Sequence, residues 1–202
     1  MSIESVLSPG GDWSRTLLRA LDRPARHALD LARRPWLHTV APAVVGLFLV
    51  AASTTVAAWL DPSSRGLSPR ADVLRALCES LAVVVPGLAV LATYARLRIT
   101  PGALVAGAAL GLLVAGVVSL SLVPLMAFLA LVSRDVVFVL RGLALLVPAV
   151  ALASVAVVVL RVLDAVDRSA RAQWLGRGFV VGLFVVFGLR TADFMRQFLA
   201  AM

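Results

Sequence analysis

The amino-acid sequence predicts an all-α polytopic membrane protein: a bundle of five transmembrane helices preceded by an interfacial amphipathic helix. Three observations carry that expectation. Of the 202 residues, 61% are hydrophobic and 15% charged, where soluble domains have roughly 45–50% and about 25%, and mean hydropathy is +0.98. The apolar residues collect in stretches of about 20, enough to cross a hydrocarbon core as a helix. Arginines gather in the connections between those stretches, where membrane topology is set. This composition excludes a water-soluble domain and a disordered chain, and a lone cysteine, Cys78, excludes a disulfide scaffold.

Residues 1–37 form a cytoplasmic N-terminal segment in this reading. Within it, Trp13, Leu17, Leu21, Ala25, Ala28, Leu29 and Ala32 recur at spacings of three and four, with Arg15, Arg19, Arg23, Arg26 and Asp30 between them. That pattern is an amphipathic helix. A break is expected at Asp22-Arg23-Pro24, with Asp22 capping and Pro24 in the first turn. An arginine-bearing polar face ahead of a span predicts a helix lying in the headgroup layer. A short helix packed against the loops is the alternative.

Residues 38–202 hold the spans. The first, 40–60, is free of charge, and the second, 73–94, carries Arg75 and Glu79 in its opening turns. The third is assigned to 102–127, inside an apolar run from Gly102 to Val132 that is longer than the bilayer needs. The fourth, 136–160, contains Arg141; the fifth, 178–200, contains Arg190, Asp193 and Arg196. Pro42, Pro86, Pro124 and Pro148 fall in the first four spans. Each removes a helical hydrogen bond and favours a kink, which neighbouring helices offset in lipid.

Twelve arginines flank the spans on the side of the N-terminus and three (Arg65, Arg70 and Arg134) on the other. The excess predicts a cytoplasmic N-terminus and a C-terminus outside, in a cytoplasmic (inner) membrane. The first span follows a polar stretch too long for a secretory signal, so it is expected to act as an uncleaved anchor. A net charge of +8 would suggest nucleic acid in a soluble domain. Here the basic residues lie between spans, so the expected partners are membrane lipids and other membrane subunits or a second copy, with no nucleic acid. All nineteen basic residues are arginine, which coding bias in a GC-rich genome suffices to produce.

Helices in lipid associate through small residues that let backbones approach. Ala103, Gly107, Gly111 and Ala115 in the third span, and Gly178 and Gly182 in the fifth, therefore mark packing faces, against internal neighbours or a second copy. Intramembrane charges cost at least about 2.5–3.5 kcal/mol each on insertion scales. In the predicted topology Arg75, Glu79, Arg141, Arg190, Asp193 and Arg196 share one level, the outer half of the bilayer. Three readings stay open: acids pairing with arginines on adjacent helices, an arginine surplus holding an anionic lipid headgroup or ligand, and a proton or ion relay through Glu79.

Catalytic chemistry is not expected. His27 and His38 both precede the body of the first span, leaving no histidine at depth for a serine–histidine pair. Asp193 has no deep second aspartate, no metal-ligand spacing occurs, and a phosphate loop needs a lysine the chain lacks. No cofactor is implied, and Cys78 reads as inert packing.

The layout resembles the Yip1-type family of small integral membrane proteins, including its bacterial members. The resemblance rests on Arg33-Arg34-Pro35-Trp36 before the first span, on Tyr94-Ala95-Arg96-Leu97 closing the second, and on a long third span containing Pro124. It implies five helices, the same topology, and a membrane-organising or accessory role. The expected function is thus a non-enzymatic scaffold or accessory subunit; a small permease or channel-like transport subunit is the alternative.

Overall fold

A computed structural model describes residues 22–59, 68–132 and 136–200, with side chains at all of these except 57–59, 68–73, 130, 136–145 and 193–200. The described residues are helical apart from short connections: α1 (Pro24–Ala32), α2 (Trp36–Trp59), α3 (Ser68–Tyr94), α4 (Pro101–Val132), α5 (Val136–Val166) and α6 (Ala170–Ala200). The last five are each long and apolar enough to cross a membrane. The chain is a multi-pass helical membrane protein. All four span prolines lie inside continuous helices.

The helix boundaries follow from local chemistry. Helix α4 starts with Pro101, and the Thr100 hydroxyl accepts a hydrogen bond from the Ala103 amide at 3.3 Å, satisfying a free N–H of the first turn. Ser169 serves α6 in the same way, accepting from Ala172 at 3.3 Å. Helix α3 ends with the Leu97 amide bonded to the Ala92 carbonyl and the Arg96 amide to Thr93, both at 3.0 Å. That pairing requires a left-handed residue after the cap, and Arg96 supplies it with φ 54°.

Helix α4 is the centre. It is apolar all round, and from Ala103 to Gly116 it is buried nearly all round, between α2 and α5. The contacts on both sides are made at backbone distance. A Cβ at Gly111 would lie 2.6 Å from Val155 Cα, and one at Gly107 3.2 Å from Val162 Cγ2, both on α5. Ala103 and Ala115 are buried in the same row. On the other side, a Cβ at Gly116 would lie 2.7 Å from the Gly46 carbonyl oxygen, and one at Gly46 would strike the Leu112 carbonyl. Helices α3 and α6 form an antiparallel pair beside this trio. The pair buries Ala76, Ser80, Leu88 and Ala92 of α3 and Phe179, Leu183, Phe187 and Thr191 of α6, all at multiples of four.

One expectation is corrected at the N-terminal end. Helix α1 has the predicted amphipathic pattern, with Arg26 and Asp30 exposed. Pro24, Ala28 and Leu31 are buried against α4 and α5, so α1 closes one end of the bundle. Pro24 opens the helix as expected, but Asp22 does not cap it: Arg23 occupies the cap position with no side-chain bond, and Asp22 pairs with Arg23 at 3.5 Å. Residues 1–21, with Trp13, Leu17 and Leu21, lie outside the described residues.

Candidate functional site

Glu79 stands on the second turn of the α3 span, five residues after Leu74 and so about 7.5 Å in from that end. Arg75 lies one turn earlier on the same face. Helix α6 runs antiparallel, so its late residue Arg190 reaches the same level. The Arg75 Nε donates to Glu79 Oε1 at 2.7 Å, and the Arg190 Nε approaches Glu79 Oε2 at 3.3 Å. Both carboxylate oxygens are engaged, one within α3 and one across to α6. Among the described side chains, one acid stands against two guanidiniums. The arginine side chains are 76% and 59% exposed, that of Glu79 only 31%. The carboxylate is therefore the seated member, and the guanidiniums form the outward rim.

The structure thus brings together Arg75, Glu79 and Arg190, three of the six residues expected at this level. The side chains of Arg141, Asp193 and Arg196 lie outside the described residues. Beneath the clip, polar side chains are satisfied inside their own helices. Ser80 donates to the Ala76 carbonyl at 2.6 Å and Thr191 to Phe187 at 2.9 Å, so neither exposes a bare hydroxyl to lipid. Cys78 departs from the packing role expected of it. It is exposed, one position round from Glu79, on the outward face of α3.

The small-residue faces divide. Gly107 and Gly111 meet α5, and Ala103 and Ala115 of the same row are buried. Gly178 has nothing within 4 Å of a Cβ built on it and is exposed; at Gly182 the nearest atom, Val84 Cγ1, is 4.0 Å away. The close approach of α6 is made by Gly176 instead, where a Cβ would sit 2.5 Å from Leu160 Cδ2 of α5. Ala172 and Gly176 are also small residues four apart, so spacing alone cannot tell which face turns inward. Burial of Ala172 decides for this one.

Sequence reasoning did not single out the α1 end of the bundle as a polar site. There Trp36, Tyr94 and Trp174 stand at the ends of three spans, exposed by 71%, 85% and 72%. Exposed Trp and Tyr at span ends is the pattern of a membrane–water interface. Arg177 places its guanidinium 5.8 Å from the Trp174 ring centroid. In the turn between α5 and α6, the Asp167 Oδ1 accepts from the Ser169 amide at 2.9 Å. Those bonds, with the amide and charge of Arg98, hold the Asp167 carboxyl below its ordinary value. The signal for an interface was present in Trp36, Tyr94 and Trp174, each beside a cluster of arginines.

Fold and site together define a multi-pass helical membrane protein with an ion-paired clip near one face and an aromatic ring at the other. No family model, curated protein or solved structure matches the chain.

Proposed function

We propose that the protein is a non-enzymatic scaffold or accessory subunit of the cytoplasmic membrane, N-terminus inside and C-terminus outside, which binds another transmembrane helix through the outward face of α6. One observation carries this. Gly178, Val181, Val185 and Gly188 follow one another at spacings of three, four and three along the exposed side of α6. No atom lies within 4 Å of a Cβ at either glycine. Among the described residues, Gly46, Gly107, Gly111, Gly116 and Gly176 are met by atoms of a neighbouring helix and Gly87 stands open alone on α3, whereas Gly178 and Gly188 leave two bare positions on one face of α6. In lipid such a strip lets the backbone of a second helix approach closely, the contact through which membrane helices associate. The Glu79 clip supports the reading, because it fixes α6 on α3 and so presents that face rigidly. The accessory role implied by the Yip1-type resemblance agrees with it.

The test uses the Cys78→Ser chain with a single cysteine at Val181, oxidised in native membranes, and, in a separate variant, a photocrosslinker at Val185, exposed on the same face. The expected result is a discrete crosslinked species, a dimer or one heteromeric band, which Gly178→Leu removes while thermal unfolding of the bundle is unchanged. Crosslinking that is absent, or indifferent to Gly178→Leu, rejects the reading.

The exposed guanidinium of Arg190 favours a second reading, a small transport subunit holding an anionic ligand or headgroup at the clip. It predicts that Arg190→Gln abolishes uptake or anion binding in vesicles and leaves the α6 crosslink intact.

A further inference from the structure

At the opposite end of the α3–α6 pair from the clip, the two helices part and leave a groove of about 510 Å³. Leu91 and Tyr94 of α3 with the following Ala95 form one wall, and Ala170, Arg171, Trp174 and Leu175 of α6 the other. Its volume falls within the roughly 300–1,000 Å³ of small-molecule sites. Tyr94 is the last residue of one candidate span and Ala170 the first of another, which sets the groove at the height where acyl chains give way to headgroups.

We infer that this groove is a binding site for one anionic glycerophospholipid, its phosphate on Arg171 and the upper part of a chain between Leu91 and Leu175. The chemistry has three parts, and the lining provides each. Leucine and alanine make the floor apolar, which suits a hydrocarbon chain and offers nothing to a free anion. Tyr94 and Trp174 flank it with amphipathic rings, whose polar tips suit the glycerol–ester level. Arg171 supplies a fork that matches phosphate oxygens, and among the described residues it has no ion-pair partner. The second guanidinium, that of Arg177, is held beside the same wall by the Trp174 ring. No carboxylate lines the groove. Positive charge at its mouth and hydrocarbon in its floor select a molecule that is anionic at one end and apolar at the other. A zwitterionic lipid would bring its own cation against Arg171.

The test is native mass spectrometry of the full chain in neutral detergent, titrated with phosphatidylglycerol and with phosphatidylcholine of identical chains. One phosphatidylglycerol is expected to bind at least fivefold more tightly than phosphatidylcholine. Arg171→Gln should weaken it about fivefold, the contribution of one arginine near an anionic surface, whereas Arg168→Gln, an exposed arginine outside the groove, should change it less than twofold. Leu91→Trp fills the groove and should weaken both lipids. Glycerol phosphate, a headgroup without chains, should neither bind nor compete. The inference is overturned if the two lipids bind alike, if Arg168→Gln costs as much as Arg171→Gln, if Leu91→Trp leaves binding intact, or if glycerol phosphate competes. None of these variants touches the Gly178 face, so the result is independent of helix association there.

Discussion

Arg96 holds a left-handed backbone at φ 54° because the last turn of α3 closes on it, and a side chain with a Cβ pays about 1 kcal/mol for that conformation. Arg96→Gly should therefore stabilise the bundle by about 1 kcal/mol, read by equilibrium unfolding in mixed micelles. A loss would mean that the Arg96 side chain contributes more than its backbone strain. Ser119 is a second case. Its hydroxyl is fully buried in α4 without a hydrogen-bond partner, unlike Ser53, Ser80 and Thr191, which bond to carbonyls of their own helices. Leaving such a group unpaired costs about 1–3 kcal/mol, so Ser119→Ala is expected to be neutral or stabilising in the same measurement. Neither feature is legible in the sequence. Residue type does not report the sign of φ, and nothing distinguishes Ser119 from a serine bonded one turn back.

At the scale of elements, the five spans were readable because 20 apolar residues have one physical solution in lipid. Their faces were only half readable. The row Ala103, Gly107, Gly111 and Ala115 pointed to a real contact because α4 is buried on nearly every side, so any face finds a neighbour. In α6, two rows of small residues compete, and only the packed structure shows that Ala172 and Gly176 turn inward. Gly111→Leu and Gly116→Leu should each destabilise by about 3 kcal/mol or more, since backbone of α5 or α2 must retreat. Gly178→Leu should leave unfolding unchanged. The clip was legible as residue types at one level, while its three-body geometry was not, because pairing depends on the rotation of α6 against α3. Polar contacts between membrane helices average about 0.6 kcal/mol and reach about 1.7. The coupling between Glu79→Gln and Arg190→Gln in a double-mutant cycle should fall in that range, and zero coupling would deny the α3–α6 bond. The turn before α6 adds a pH dependence. The folded state lowers the Asp167 pKa, so its stabilisation is complete above the unfolded value of about 3.9 and is lost as pH falls through the lower folded one. Between pH 6 and pH 3 the Tm of Asp167→Asn should fall less than that of the wild type.

At the scale of the whole molecule, the two ends of the bundle differ in kind. The α1 end carries exposed Arg26, Arg33, Arg96, Arg168 and Arg171, the ring of Trp36, Tyr94 and Trp174, and the helix that closes it. The other end carries the clip. Large apolar side chains such as Phe48, Val83, Phe128 and Val181 are exposed between the ends, as lipid-facing residues should be. Arginine in short loops is retained on the cytoplasmic side during insertion, and the α1 end gathers the loops that carry it. The proposed orientation therefore makes a prediction about sides. In the Cys78→Ser chain, single cysteines replacing Arg34 and Arg168 should resist an impermeant maleimide in intact cells and react after permeabilisation. A cysteine replacing Arg65, in the connection between the first two spans, should react in intact cells. Reversal of all three would invert the protein and move the clip to the cytoplasmic half. Protection that differs between Arg34 and Arg168 would be more severe, because the packing of α1 against α4 and α5 requires those residues at one end of one bundle.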